Sequence, residues 1–289
     1  MSLFQHIGFS TNIFDNPANI AQLVEYLSEH FPAIEIEFEK DLRLLIDSDE
    51  QQWRQQRDRL NAVREATGVH YSTHAPYIGI DTDISNGDEV TRLSAVDYLG
   101  KYIARAAEIG ARFITIHPGY VELDQQGLSY FEFGQLAKSL DALSAVAARH
   151  HVDILLENTG PDREKYIVLL DEQHDQLCRH SNVFLTLDLV HFHAFYHHLS
   201  SADYLEKLKN ILPDIRNAHF NDVVDGKHIH IPLGSGNFDF HQVLQFMHAQ
   251  GYQGNFIIEE SGGGYAPEDF VTAGREYIDR LKTNAPCPH

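Results

Sequence analysis

Residues 112–117 read RFITIH and residues 153–158 read DILLEN, and a segment of helical period lies between them at residues 131–150. Each short run is rich in aliphatic and β-branched residues, as is typical of a buried strand. A strand, a helix and a second strand in this order form a unit whose two strands pair in parallel. The fold therefore depends on how many such units the chain contains.

The same alternation continues in both directions and gives eight strand-then-helix units. The predicted strands span 6–11, 33–38, 69–74, 112–117, 153–158, 183–188, 215–221 and 256–259, and the predicted helices span 19–30, 51–67, 88–109, 131–150, 167–180, 202–211, 240–250 and 267–282. No glycine-rich dinucleotide-binding motif follows the first strand, and no linker divides the chain. We predict an α/β fold, a (β/α)8 TIM barrel that forms a single domain over residues 1–289 with frayed last residues.

Composition and charge restrict the partners. The chain has 289 residues, of which 43% are hydrophobic, and this is enough apolar material for a large core. Lysine and arginine number 22 against 42 aspartates and glutamates, so the formal net charge is −20. Nucleic acids and anionic membrane surfaces are held mainly by basic patches. We therefore expect a small-molecule substrate rather than a nucleic acid or a membrane.

The cysteines and the N-terminal residues indicate a cytoplasmic protein. Cys178 and Cys287 are too few for a disulfide framework and too far apart in sequence for a C-x-x-C motif. The opening residues lack a basic segment followed by a long apolar run, and no stretch approaches the roughly 18 apolar residues of a membrane span. The sequence predicts no oligomeric state.

Residues able to bind a metal stand where six consecutive strands end. They are His74, His117, Glu157, Asp188 with His191 one turn later, His219 and Glu259. Each one alone is more often structural, since buried histidines usually hydrogen-bond to backbone. In a (β/α)8 barrel, however, the carboxyl ends of all strands meet at one rim. The six together therefore predict a metal centre.

Two further histidines extend this set. His228 and His230 follow the seventh strand, and residues two apart on an extended segment face the same side. Imidazoles and carboxylates together suit zinc, manganese, iron or cobalt rather than calcium or magnesium. Nine donors exceed the needs of one ion, so we expect one to three divalent transition-metal ions, with Glu157 placed to bridge two of them.

These motifs resemble the xylose isomerase-like TIM-barrel superfamily, which includes sugar and sugar-phosphate isomerases or epimerases and the endonuclease IV family (AP endonuclease family 2). The resemblance runs from the first strand to Glu259. The LDLVH stretch at 187–191 is similar to the strand-six motif of the superfamily, and DGKHIHIPLGSGNFDF at 225–240 is similar to its strand-seven loop.

The resemblance implies three overlapping metal sites. The first would contain His74, His117 and Glu157, the second Glu157, Asp188, His219 and Glu259, and the third His191, His228 and His230. One departure concerns the third site, where the family often has aspartate at the position of His228. A neutral ligand there lowers the negative charge around the ion, which weakens binding or favours iron or zinc.

The leading hypothesis is a metal-dependent isomerase or epimerase that acts on a small sugar, sugar phosphate or related polyol. The resemblance implies that Glu157 and Glu259 are both metal ligands and the acid–base pair, and that His191 contacts substrate. This chemistry requires a polarised carbonyl and a base near the carbon acid.

Three alternatives remain open from the sequence. An endonuclease IV-like multi-metal phosphoester hydrolase would use the complete nine-ligand set, because bridging ions generate hydroxide and stabilise the leaving oxygen. An iron-dependent oxygenase would use the same histidine-rich centre. A non-catalytic barrel that binds metal or sugar is the fourth interpretation, since a fold alone does not determine a function.

Overall fold

Eight parallel strands form a closed barrel in the order in which they occur in the chain. The computed structural model describes residues 6–119, 133–159, 177–238, 240–259 and 262–283. Each strand pairs with the next, and the last pairs with the first through Ile7 and Phe256. This is the predicted (β/α)8 TIM-barrel fold class. Among the described residues, no helix is long and apolar enough to cross a lipid bilayer.

The strands are short and the helices surround them. The strands are β1 Ile7–Ser10, β2 Ala33–Glu37, β3 His70–His74, β4 Phe113–Ile116, β5 Asp153–Glu157, β6 Val183–Asp188, β7 Ile215–Phe220 and β8 Asn255–Ile258. The described α-helices are α1 Ile20–Ser28, α2 Lys40–Ser48, α3 Glu50–Thr67, α4 Glu89–Glu108, α5 Phe133–His150, α6 Leu189–Tyr196, α7 Ser201–Ile211, α8 Phe240–Ala249 and α9 Pro267–Thr283.

All eight predicted strands are present, with ends that differ by at most one residue. The predicted helix at 167–180 falls largely outside the described residues. Two short helices, α2 and α6, were not predicted. In α6 the side chain of Asp188 accepts a hydrogen bond from the backbone N–H of His191 and so caps the helix. A strand-end aspartate therefore also starts a helix.

The hydrophobic core lies between the barrel and the ring of helices. Large buried side chains such as Trp53, Tyr102 and Phe256 fill this layer. Gly8 allows β1 to approach its neighbours closely, because a Cβ at this position would lie 2.7 Å from the carbonyl oxygen of Ala33.

The interior of the barrel contains polar side chains where apolar ones are usual. Glu35 and Asn217 are fully buried, and Thr115 on β4 hydrogen-bonds to Thr186 on β6 at 2.7 Å between their hydroxyl oxygens. Buried polar groups are costly unless they are hydrogen-bonded. The polar groups inside the barrel therefore need hydrogen-bond partners, and several of these partners lie near the carboxyl mouth of the barrel.

Candidate metal centre

The carboxyl ends of strands β3 to β8 bring all nine predicted residues to one mouth of the barrel. His74, Glu157 and Asp188 are the last residues of their strands, and His117 and Glu259 come directly after theirs. His219 is the penultimate residue of β7. The potential ligand atoms form three groups, and within each group they lie within 4.8 Å of one another. The groups are the His74 group (His74, His117, Glu157), the Asp188 group (Glu157, Asp188, His219, Glu259) and the His228 group (His191, His228, His230).

In the His74 group, two imidazoles meet one carboxylate oxygen. The Nε2 atom of His74 lies 2.9 Å from Oε2 of Glu157, and Nε2 of His117 lies 3.1 Å from the same oxygen. The Nδ1–H of His74 donates to the carbonyl oxygen of Ala75 at 2.8 Å. Tyr77 stacks on the His117 ring with centroids 4.5 Å apart. Both histidines therefore present Nε2 to Glu157.

In the Asp188 group, one imidazole faces two carboxylates. The Nδ1 atom of His219 lies 3.0 Å from Oε2 of Glu259 and 3.4 Å from Oε1 of Glu157. All four members are buried. Oδ2 of Asp188 has no hydrogen-bond partner in the part of the chain that the structure describes. An unpaired buried carboxylate oxygen is costly, and a bound cation would satisfy it.

In the His228 group, three imidazoles approach each other edge to face. The ring centroid of His191 lies 4.5 Å from that of His228 and 5.5 Å from that of His230. The Nδ1–H of His191 donates to the carbonyl of Asn158 at 2.8 Å, so Nε2 carries the lone pair in the neutral ring. This group differs from the other two because none of its members is an acid.

The side chain of Asp222 links distant parts of the loop that carries His228 and His230. Oδ2 of Asp222 accepts the backbone N–H groups of Gly234 and Gly236, each at 2.9 Å, and Oδ1 accepts that of Val223. A Cβ on Gly236 would lie 2.2 Å from Oδ1 of Asp222, so only glycine fits there. These hydrogen bonds join the beginning of the loop, at Asp222, to Gly234 and Gly236 near its end.

Burial and charge shift the pKa values in this centre. Burial disfavours the charged form of Glu157, but the attraction of His117 and His219 outweighs it and holds the pKa of Glu157 well below its usual range. Burial alone would lower the pKa of His219, but Glu259 and Glu35 raise it well above its ordinary value. Glu157 is therefore ionised at neutral pH, as a metal-binding carboxylate must be.

The two imidazoles that contact Glu157, those of His74 and His117, have pKa values shifted in opposite directions. Burial would lower the pKa of His74, but the hydrogen bond to Glu157 and the charge of Glu37 raise it to about 9. Burial lowers the pKa of His117, and Glu157 offsets this only in part. His117 is thus held as a neutral imidazole, the form that binds metal.

The donor chemistry of these groups fits a divalent metal. Because Nδ1–H of His74 donates to a carbonyl, the lone pair of the neutral ring is on Nε2, which points at a carboxylate oxygen. Two lone pairs directed at each other repel unless a proton or a metal ion lies between them. Without metal a proton occupies this position, which is why the hydrogen bond to Glu157 raises the pKa of His74, and a metal ion can replace that proton. In the same way, Nδ1 of His219 points at carboxylate oxygens of Glu157 and Glu259. The residues present therefore fit one or more ions of the imidazole-binding class.

Sequence reasoning missed the residues that hold the candidate ligands in place. The side chain of Asn158 hydrogen-bonds to both backbone groups of Asp188. Its Oδ1 accepts the Asp188 N–H at 2.6 Å, and its Nδ2 donates to the Asp188 carbonyl at 2.9 Å. Glu35 contacts His219 with 2.6 Å between Oε1 and Nε2. The signal for Glu35 was present in the sequence, because AIEIE at 33–37 places two acids at alternate positions of a buried strand.

Glu37 is the other acid of that strand. It is buried, and its Oε1 accepts a hydrogen bond from the hydroxyl of Ser10 at 2.9 Å. Its negative charge raises the pKa of His74, so it belongs to the electrostatic surroundings of the His74 group.

A family model described as "Xylose isomerase-like TIM barrel" matches residues 24–281. The chain belongs to this family. The match includes every residue of the three groups, and it agrees with the closed parallel barrel.

Individual relatives cover most of the chain. The 3-dehydro-D-guloside 4-epimerase of Escherichia coli is 25% identical over 291 residues, which are 92% of this chain and 95% of that protein. A probable endonuclease 4 of Mycobacterium bovis is 29% identical over 194 residues, 63% of this chain and 70% of that protein. A crystal structure described as a D-tagatose 3-epimerase-like protein superposes with a TM-score of 0.75 at 22% identity, covering 99% of this chain and 98% of that one. At that identity the structural likeness establishes the fold alone.

Proposed function

We propose that this protein is a metal-dependent isomerase or epimerase that acts on a small sugar, sugar phosphate or related polyol. The observation that carries the proposal is the Asp188 group, in which three buried carboxylates and one imidazole converge at the mouth of the barrel. The relative named as a 3-dehydro-D-guloside 4-epimerase, matched over nearly its whole length, supports the same class of reaction. The proposed ion is zinc, manganese or iron.

Glu157 and Glu259 are the proposed acid–base pair. Glu157 is ionised at neutral pH, since its pKa lies well below the usual range, and an ionised carboxylate can accept a proton from a carbon next to a carbonyl. One glutamate would remove this proton, and the other would return a proton to the opposite face, so that the configuration inverts with no net change in atoms. A bound divalent ion would polarise the substrate carbonyl and hydroxyl.

His191 is proposed to contact the substrate. Its Nδ1–H is held by the carbonyl of Asn158, and this fixes the ring orientation. Its Nδ1 lies 3.7 Å from both Oε1 of Glu157 and Oδ2 of Asp188, so the ring borders the Asp188 group. A substrate hydroxyl that reaches the ion would meet this imidazole.

The test combines metal analysis with a substrate panel in heavy water. We expect the purified or reconstituted protein to contain at least one equivalent of transition metal, and to invert one carbon of a ketose or keto-glycoside with incorporation of solvent deuterium at that carbon, followed by NMR. Glu157→Gln and Glu259→Gln should each lower kcat by at least about a hundredfold, the lower range for loss of general acid–base catalysis.

The matched control is Asp153→Asn. Asp153 is the first residue of the same strand as Glu157. The substitution therefore makes the same carboxylate-to-amide change at the opposite end of the barrel. It should retain activity and metal. Protein that binds no metal after reconstitution, or a Glu157→Gln variant with normal turnover, would refute the proposal.

A second candidate function is phosphoester hydrolysis by a centre of two or three ions. The specific observation in its favour is that Glu157 belongs to both the His74 group and the Asp188 group, with the His228 group beside them. The endonuclease 4 relative supports it also. Incision of a duplex with an abasic site, or hydrolysis of small phosphodiesters, by the metal-loaded protein without any sugar epimerisation would establish this function instead.

A further inference from the structure

Glu35 is a buried carboxylate that lies beneath the Asp188 group and outside all three groups. Its side chain is fully buried inside the barrel on β2. Oε1 lies 2.6 Å from Nε2 of His219 on β7, and Oε2 accepts hydrogen bonds from the Ser72 hydroxyl at 3.0 Å and from Nδ2 of Asn217 at 2.9 Å. The carboxylate is therefore held by donors from β3 and from β7 at once.

This arrangement selects one nitrogen of the His219 ring as the metal-binding atom. Nε2 of His219 has two contacts, Oε1 of Glu35 at 2.6 Å and Nδ2 of Asn217 at 3.2 Å, and Nδ2 of Asn217 already donates to Oε2 of Glu35 at 2.9 Å. The shorter contact is to a carboxylate oxygen, which accepts, so Nε2 carries the proton. The lone pair of the neutral ring is then on Nδ1, the atom that faces Glu157 and Glu259. In metal centres, a carboxylate behind a histidine fixes its tautomer and orientation and makes it a better ligand.

We infer that Glu35 is a positioning residue that makes Nδ1 of His219 the metal-binding atom. This inference rests on the proposed function, because it concerns the ion that the Asp188 group would hold.

A purely structural role does not explain Glu35. A buried carboxylate costs several kcal/mol of desolvation, and well-packed apolar side chains usually fill the interior of such barrels at less cost. The charge is retained where it faces a histidine that in turn faces two more acids.

The decisive variant is Glu35→Gln, which keeps the shape but removes the charge. The amide can present its NH2 group to Nε2 of His219, and the ring can then carry its proton on Nδ1, where it blocks the ion. We expect the affinity for Co²⁺, followed by its visible absorption, to fall about 10- to 100-fold. The absorption bands of the bound Co²⁺ should also shift, and Glu35→Asp should recover part of both effects.

Thr115→Val is the matched control. Thr115 is also a buried polar residue inside the barrel, but its hydroxyl hydrogen-bonds to Thr186 and reaches no member of the Asp188 group. Its removal should leave the Co²⁺ affinity within about twofold of the wild type. Equal losses in the two variants would show a general effect of barrel packing and would overturn the inference.

A measurement on the unaltered protein covers the case in which Glu35→Gln does not fold. In the zinc-loaded wild type, ¹⁵N-edited NMR of the His219 ring, assigned with His219→Gln, should show a metal-bound Nδ1 and a strongly hydrogen-bonded Nε2–H. A metal-bound Nε2 would overturn the inference, and so would a Glu35→Gln variant with wild-type Co²⁺ affinity and spectrum. Wild-type protein that binds no metal would refute the proposed function as well, so the two failures are distinguishable.

Discussion

At the scale of single residues, the three groups differ in charge although they resemble each other in geometry. The Asp188 group contains three carboxylates, the His74 group contains one and the His228 group contains none. An ion bound by carboxylates gains more electrostatic stabilisation than an ion bound only by neutral imidazoles. We therefore expect the Asp188 group to bind its ion first and the His228 group to bind most weakly.

The substitution His228→Asp tests this order. A carboxylate beside His191 and His230 adds a full negative charge, so the affinity of the His228 group for Zn²⁺ should rise by roughly tenfold or more, about 1.4 kcal/mol. Isothermal titration of metal-free protein should show the weakest binding step becoming tighter while the tightest step stays the same.

His198→Asp is the control for that substitution. It makes the same charge change at an exposed histidine that belongs to none of the three groups. If both variants tighten zinc binding equally, general electrostatic attraction explains the effect and His228 is not a ligand.

At the scale of elements, the mouth of the barrel depends on how each strand continues after its last residue. After β6, Asp188 caps α6 through Oδ1, and this leaves Oδ2 as its unpaired oxygen within the described residues. After β7, the chain pairs back on itself through Asp222 and Ile231 in an antiparallel bridge. The candidate ligands His191, His228 and His230 therefore lie on segments whose conformation is fixed by local hydrogen bonds.

The isosteric substitution Asp222→Asn should release the loop that carries His228 and His230. Its NH2 group would face the N–H groups of Gly234 and Gly236, which now donate to Oδ2. Three donors without an acceptor should lower the free energy of unfolding by about 1–3 kcal/mol. Metal analysis should show loss of the ion of the His228 group, while the ion of the Asp188 group remains.

The same change at Asp225 provides the comparison within that loop. Oδ1 of Asp225 accepts from Nδ2 of Asn237 at 2.8 Å, and an asparagine retains this acceptor. Asp225→Asn should therefore bind metal as the wild type does. Retention of all ions by Asp222→Asn would contradict the role assigned to Asp222.

At the scale of the whole molecule, the three groups join six of the eight strands, from β3 to β8. These donors come together only in the folded chain, and an ion that binds them stabilises folding by mass action. The centre also places several carboxylates close together in a protein of net charge −20. An ion would reduce this repulsion.

Removal of metal should therefore lower the thermal stability. A ligand at a hundred times its Kd stabilises the folded state by about 2.7 kcal/mol. We expect metal-free protein prepared with a chelator to unfold several degrees below the reconstituted protein in a thermal scan. Asp188→Asn should show a smaller difference between the two preparations, and a wild type whose Tm does not depend on metal would contradict the prediction.

Much of the fold could be predicted because its signals are local. The alternation of buried strands with helices is visible in runs such as VFLTLD at 183–188, and it led to the closed eight-stranded barrel. The parallel arrangement also implied that strand ends meet at one rim, and the structure brings His74, Glu157 and Asp188 together there. Helix α6 was missed because its residues, LVHFHAFY, lack a clear polar face.

The sequence by itself determined the barrel, the strand-end histidines and acids, and an acidic chain with enough apolar residues for a core. Only the tertiary structure decided which nitrogen of each imidazole faces the centre and which carboxylate lies behind it. Glu35 and His219 are 184 positions apart in the chain, yet their side chains meet at 2.6 Å inside the barrel. Periodicity reports which face of an element is buried, whereas a contact across the barrel depends on the register of all the strands between them.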